Sequence, residues 1–292
     1  MTHRFKQVDV FTDRPFFGNP VAVVLDADDI DPADMQRIAK WTNLSETTFV
    51  LRPTVAEADY RLRIFSPGGE LPFAGHPTVG SAHAVLESGV VGSKACLTQE
   101  CGAGLLPLTV EGSGPAREIF VQAPQPTYPA DGELATSAEA LSSALGAEVS
   151  SSVPMQVIDV GPVWLVAYAE DADALRNAAP DMTALAKLSR ELGVTGVTVF
   201  SLGSKPAEPV HVRSFAPAVG VPEDPVCGSG NACVGAFLAS TGMLEQTGTS
   251  YRASQGTELG RDGQVSVRVE DEGRRISIGG RAVTVIEGTV SV

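Results

Sequence analysis

GHPTVGSAHAVLESG at Gly75–Gly89 and GSGNACVGAFLASTG at Gly228–Gly242 decide how this chain is read. Both run from glycine to glycine over one span, since 89 − 75 and 242 − 228 each give 14. Each follows a short strand-like run, a Phe-x-Pro step (Phe65–Pro67, Phe215–Pro217) and a loop rich in proline and glycine. Val79, Ala82, Ala84 and Val85 in the first copy, and Ala232, Val234, Ala236, Phe237 and Leu238 in the second, leave a helix apolar on most sides. Such a helix belongs inside a protein rather than on its surface. The shared order of strand, loop and helix points to an internal duplication. GNPVAVV at Gly18 and GPVWLVAY at Gly161 are a looser echo of the same kind. The expected fold class is α+β, with one helix wrapped by the strands of its own half, twice over.

Working outward, Val8–Phe11, Val21–Leu25 and Arg61–Phe65 read as strands of the first half. Asp31 is a cap for a helix that starts at Pro32 and continues to about Trp41. The first buried helix runs from about Pro77 to Glu87 and stops at Gly89. APQPTYPADGE at Ala123–Glu133 is the best linker candidate. The second half reads as a helix around Ala138–Leu145, a strand at Val163–Tyr168, a helix at Met182–Leu192, strands at Val197–Phe200 and His211–Phe215, and the second buried helix from about Asn231 to Ser240. Short strands follow at Val265–Val269, Ile276–Ile278 and Val283–Ile286. The expected domains are 1–124 and 125–282, with 283–292 a tail strand returning to the first domain.

The 292 residues carry 21 Lys plus Arg against 35 Asp plus Glu, a net charge of −14. Binding to nucleic acid or to an anionic membrane needs a basic face, and neither partner is expected. No apolar run approaches the roughly 18 residues of a membrane span, and the opening MTHRFKQVDVFTDRP has no secretory apolar core. Cys96 and Cys101 are five apart, and Cys227 and Cys233 six apart, so neither pair has zinc-knuckle spacing. No metal is expected. Four cysteines are too few for a disulfide scaffold, so the expected location is a reducing cytoplasm.

The chemistry is expected at the starts of the two repeat helices. Gly75-His76-Pro77 and Gly228-Ser229-Gly230 present backbone N–H groups that a helix leaves without internal acceptors, at the positive end of its dipole. A pair of such turns suits a substrate carboxylate; each also reads as a tight turn with no ligand. His76 lies at one helix start, and Glu223 and Asp224 precede the other. Glu46 sits in NLSETTFV, where packing does not demand a carboxylate. A histidine and carboxylates around an anion site suit proton abstraction beside an acidifying carboxylate, and the amides stabilise the charge that develops. The chain has no phosphate loop, no H-E-x-x-H and no G-x-S-x-G elbow.

DVFTDRPFFGNPVAVV (Asp9–Val24), NLSETTFV (Asn43–Val50), FSPGGELPFAGHPTVGSAH (Phe65–His83) and GVPEDPVCGSGNAC (Gly220–Cys233) resemble the PhzF, or phenazine-biosynthesis-like, isomerase family. The resemblance spans the chain. It implies a diaminopimelate-epimerase-like fold: two similar barrel-like domains, each around a central helix, with the active site in the cleft between them. It also implies a cofactor-independent isomerase of a small carboxylate-bearing substrate, acting as a homodimer. Glu46 matches the family's acid/base, which takes a proton from one carbon and returns one to another. His76, Asp224 and Ser229 match residues that orient the substrate and support the shuttle. The amides at Gly75, His76, Gly228 and Ser229 would hold the carboxylate, with Asn19 and Cys227 as further substrate contacts.

Cys227 complicates this picture, because many relatives carry threonine there. Cys227-Gly228-Ser229-Gly230 resembles the C-G-[ST]-G motif of two-cysteine epimerases and racemases, but the matching first position is Ala74. A helix start lowers a thiol pKa, which would suit a role for Cys227 opposite Glu46; buried packing is the other reading. The alternatives are thus an amino- or hydroxy-acid epimerase using Cys227, and a catalytically silent small-acid binding protein.

Overall fold

The computed structural model describes residues 1–129, 134–203 and 210–292. The strands and helices follow in chain order as β1 (Thr2–Val10), β2 (Asn19–Val24), α1 (Pro32–Thr42), β3 (Thr47–Leu51), β4 (Tyr60–Phe65), β5 (Glu70–Leu71), α2 (Gly75–Glu87), β6 (Cys96–Cys101), β7 (Gly104–Glu111) and β8 (Glu118–Gln122). They continue as α3 (Leu134–Leu145), β9 (Gln156–Asp159), β10 (Val163–Tyr168), α4 (Ala172–Asn177), α5 (Met182–Leu192), β11 (Gly196–Ser201), β12 (Val210–Ala216), β13 (Val221–Asp224), α6 (Gly228–Ser240), α7 (Leu244–Thr247), β14 (Ser250–Gln255), β15 (Gly263–Glu270), β16 (Arg275–Gly280) and β17 (Ala282–Ser291). The chain divides into a unit of Met1–Gln122 with Gly279–Val292 and a unit of Ala123–Ile278.

In the first unit β1 pairs antiparallel with both β17 and β2. From there the ladder runs through β2–β3 (parallel), β3–β4 (antiparallel), β4–β6 (parallel) and the β6–β7–β8 meander. Helix α2 packs against β1 to β4 and also against β8 and β17, the two ends of this ladder. A ribbon whose opposite ends touch one helix has curled around it. Every residue of α2 from His76 to Val85 is buried. Gly80 lets the helix lie close, since a Cβ there would stand 2.5 Å from Val21 Cγ1 and 2.8 Å from Val10 Cγ2. Outside the ladder, α1 covers a satellite core of Val24, Ile30, Met35, Ala39, Phe49 and Phe65.

The second unit repeats the plan. Its ladder is β9–β10 (antiparallel), β10–β11 (parallel), β11–β12 (antiparallel), β12–β14 (parallel) and β14–β15 (antiparallel). The short β13 pairs with β12 as β5 pairs with β4. Helix α6 packs against β9, β10, β11 and β15, and it is buried at Gly228 and from Gly230 to Leu238. Helix α5 covers the outer face with Leu185 and Leu188, against Leu141, Leu145, Leu165 and Phe215. The architecture is α+β and duplicated, a barrel-like ribbon around a central helix in each unit.

The caps follow the sequence. Asp31 accepts from the Asp34 amide at 2.9 Å, and Asn43 closes α1 with a left-handed φ of 54°. Gly89 and Gly242 stand just past α2 and α6 with φ of 69° and 76°, a region open to glycine at little cost. Some boundaries differ from expectation. The repeat helices begin at Gly75 and Gly228, earlier than Pro77 and Asn231, because the first turn tolerates glycine. β1 starts at Thr2 rather than Val8 and β17 continues to Ser291, because each completes the other's hydrogen bonds. The expected linker at Ala123–Glu133 is described only to residue 129, and there Thr127 is bridged to Asp159 rather than free; its remainder lies outside the described residues. Among the described residues no helix is long and apolar enough to cross a membrane.

Candidate active site

The first unit brings Glu46 and His76 together. The connection from the Asn43 cap of α1 to β3 is short, so Glu46 is delivered to the opening of that strand. His76 is the second residue of α2. Glu46 Oε2 lies 3.4 Å from His76 Nε2, with both side chains largely buried. Burial pushes the imidazole down to about 4, partly offset by a hydrogen bond to the Pro20 carbonyl. Since Nε2 faces Glu46, that bond belongs to Nδ1. His76 is therefore neutral at pH 7, with its proton on Nδ1 and a lone pair on Nε2 turned to the carboxylate.

The Pro20 carbonyl is held in place by its neighbours. Asn19 is buried and pairs with Val10 in the β1–β2 ladder. The turn before it needs Gly18, where a Cβ would collide with the Val10 carbonyl oxygen. At the start of α2, Ala74 caps with no side chain, and no acidic residue sits in the first turn. The Gly75 and His76 amides thus open the helix at the positive end of its dipole without a built-in anion.

The second unit gathers Asp224, Cys227, Gly228 and Ser229. Asp224 Oδ1 accepts from the Val226 amide at 3.0 Å. Burial raises its carboxyl to about 6, and the charge of Glu223 adds to this against the Val226 and Cys227 bonds. Glu223 itself is engaged by Arg213 through two bonds of 2.8 and 3.0 Å. That guanidinium also donates to the Leu175 and Ala178 carbonyls at 2.9 Å. The planar fork fixes the β12–β13 hairpin that carries Asp224. Glu223, grouped with the acid/base residues on its position in the sequence, is occupied structurally.

Cys227 caps α6, its Sγ accepting from the Gly230 amide at 3.3 Å. Burial pushes its thiol well up and the Asp224 charge adds to this. The lowering expected from a helix start is outweighed, so the thiolate is scarce at pH 7. Sequence reasoning missed the frame around it. Gln255 Oε1 accepts from the Cys227 amide at 3.1 Å and from Asn231 Nδ2 at 2.9 Å, and its Nε2 donates to the Asp224 carbonyl at 2.9 Å. Gly230 allows close approach, since a Cβ there would stand 2.6 Å from Ser214 Oγ and 2.8 Å from Thr198 Oγ1. Ser229 Oγ accepts from Trp164 Nε1 at 3.0 Å. Neither Gln255 nor Trp164 stands near the Gly-rich motifs in sequence, which is why the motifs did not signal them.

Among the described residues no group of three or more His, Cys, Asp or Glu side chains could hold a metal ion.

Comparison with known proteins agrees with this architecture. A Pseudomonas aeruginosa trans-2,3-dihydro-3-hydroxyanthranilate isomerase is 36% identical over 292 residues, covering 98% of each chain. The Schizosaccharomyces pombe protein called antisense-enhancing sequence 1 is 44% identical over 293 residues, again with 98% of each covered. A crystal structure of the Bacillus anthracis PhzF-family phenazine biosynthesis protein superposes with a TM-score of 0.87 at 30% identity, over 100% of both chains. Residues 8–288 match the family described as phenazine biosynthesis-like protein, and the chain belongs to that PhzF family of isomerases.

Proposed function

We propose that the protein isomerises a small carboxylate-bearing substrate by cofactor-independent proton transfer, with Glu46 as the shuttling acid/base. One observation carries this reading: Glu46 Oε2 faces the Nε2 lone pair of a neutral, backbone-tethered His76 at 3.4 Å. As a carboxylate, Glu46 takes a proton from the substrate carbon. The resulting acid O–H then has an acceptor in Nε2, which holds it until it is returned to a second carbon. The proton leaves and re-enters through one oxygen, so no net acid or base is consumed. The Gly75 and His76 amides oppose the negative charge that builds on the substrate carboxylate as the C–H bond breaks.

In this reading the same substrate is also met by the second unit, through Asp224, Ser229, Cys227 and the Gly228 amide. Support for that part comes from the family resemblance and from the clustering of these four residues around one helix start. A homodimer in a reducing cytoplasm belongs to the same proposal; all four cysteines are free thiols. The compound in the relative's name, trans-2,3-dihydro-3-hydroxyanthranilate, is the first substrate to try. In heavy water the wild type is expected to place deuterium in the product, and Glu46→Gln to abolish both turnover and exchange. Undiminished exchange in Glu46→Gln would remove Glu46 from the mechanism.

A further inference from the structure

Trp164 does more than fill space in β10. Its side chain is 3% exposed, and its indole N–H points at Ser229 Oγ. An indole N–H can only donate, so in this bond the serine oxygen must accept. The serine proton is thereby turned away from the indole. Cys227 Sγ stands 3.6 Å from that hydroxyl, a weak acceptor that already takes the Gly230 amide.

The duplication shows that this contact is built in. Thr47 pairs with Phe65 and Val197 with Phe215, each ahead of a Phe-x-Pro step, so β3 and β11 align with Glu46 matched to Gly196. Trp164 pairs with Gly196 in the parallel ladder, and one step before the Ala22–Thr47 pair the first half has Val21 opposite Glu46. The second half thus carries an indole where the first has valine, and a glycine where the first has the carboxylate. Gly196 leaves room for the indole: a Cβ there would stand 2.2 Å from the Phe215 carbonyl oxygen and 2.8 Å from Trp164 Cζ3.

We infer that Trp164 is a positioning residue, which orients the Ser229 hydroxyl as a donor and so tunes this helix start for substrate groups that accept, a carboxylate above all. This rests on the proposed function for the identity of the acceptor, but not for the bond itself. The chain has two tryptophans, and Trp41 is 84% exposed. The indole ¹⁵N–¹H signal of Trp164 is therefore separable, and Trp164→Phe assigns it. Ser229→Ala is expected to shift that signal upfield and speed its hydrogen exchange; an unmoved signal overturns the inference, whatever the enzyme turns over.

The second arm is a double-mutant cycle. Trp164→Phe keeps an aromatic ring and is expected to raise KM for trans-2,3-dihydro-3-hydroxyanthranilate about five- to tenfold, with kcat within about twofold. In a Ser229→Ala background the same change is expected to add nothing. Equal losses in both backgrounds, or a fall in kcat with KM unchanged, mark a packing role and overturn the assignment. If the wild type does not turn over that compound, the proposed reaction fails on this substrate, and the cycle is read instead in benzoate affinity, a plain ring carboxylate. Failure of benzoate to bind the wild type, or to move the indole signal, overturns the inference too.

Discussion

The first half of the molecule carries Glu46 one residue before β3; the matched point in the second half is Gly196 at the start of β11. The helix starts differ as well. Gly75 and Gly228 align, so His76 stands against Ser229 and uncapped Ala74 against the thiol cap of Cys227. One ladder, built twice, has been given two chemistries. The first half holds a carboxylate and an imidazole in contact, at a helix start with no side-chain cap. The second half closes its helix start with a thiol cap, a glutamine frame and an indole bond. A duplicated scaffold can thus keep backbone geometry constant while a few positions change the side chains at each helix start.

The sharpest way to break this comparison is at Glu46. Glu46→Gln removes the only titratable group at the matched pair and is expected to cost about 10³-fold or more in kcat, near the upper range for a general acid/base. Stability by urea titration should stay within about 1 kcal/mol. A variant that keeps a tenth of wild-type turnover would erase the asymmetry. The reciprocal position is expected to answer in stability instead. Gly196→Ala puts a Cβ against the Phe215 carbonyl and the Trp164 ring, an overpacking cost of about 2–3 kcal/mol in the same titration.

Acidification should pull the halves in opposite directions. His76 sits at about 4 in the folded protein against about 6.5 for a free imidazole. The unfolded chain therefore gains the proton first, and stability is lost as pH falls from about 6.5 to 4, by about 2–3 kcal/mol. Asp224 sits at about 6 against about 3.9 unfolded. The folded chain gains that proton first, so stability is lost as pH rises from about 4 to 6. Asp224→Asn is accordingly expected to stabilise by about 1–2 kcal/mol at pH 7 and by nothing below pH 4. If activity needs the ionised Asp224, its acid limb near pH 6 should follow this residue. The smallest effect belongs to Cys227. Cys227→Ala loses a helix cap worth about 1 kcal/mol, and iodoacetamide should alkylate the native thiol far more slowly than exposed Cys96.

The duplication was legible because two largely buried helices leave an unmistakable composition, small and apolar on most sides, between glycines with fixed roles. Strands β6 to β8 were not. Pro107 interrupts β7, which reads GLLPLTVE with no regular alternation, so its pairing is a tertiary fact rather than a local one. Glu46 and His76 stood out by residue type and place, and the family resemblance gave them roles. Nothing local couples residues thirty positions apart, with β3, β4 and β5 between them. Trp164 and Gly196 were silent for another reason. A tryptophan inside an apolar strand looks like packing, and a glycine at a strand start looks like a turn, until the ladder sets one against the other.

β17 has a consequence for how the chain matures. It pairs with β1, Thr2 opposite Ser291, so the strand that completes the first ladder is synthesised after the whole of the second unit. During translation the later unit has every strand of its ladder available while the earlier one still lacks β17. Met1 and Val292 lie side by side, the Val292 amide donating to the Met1 carbonyl at 2.8 Å, so a short tether joining these two residues, with the backbone opened at a surface turn elsewhere, would keep this ribbon intact.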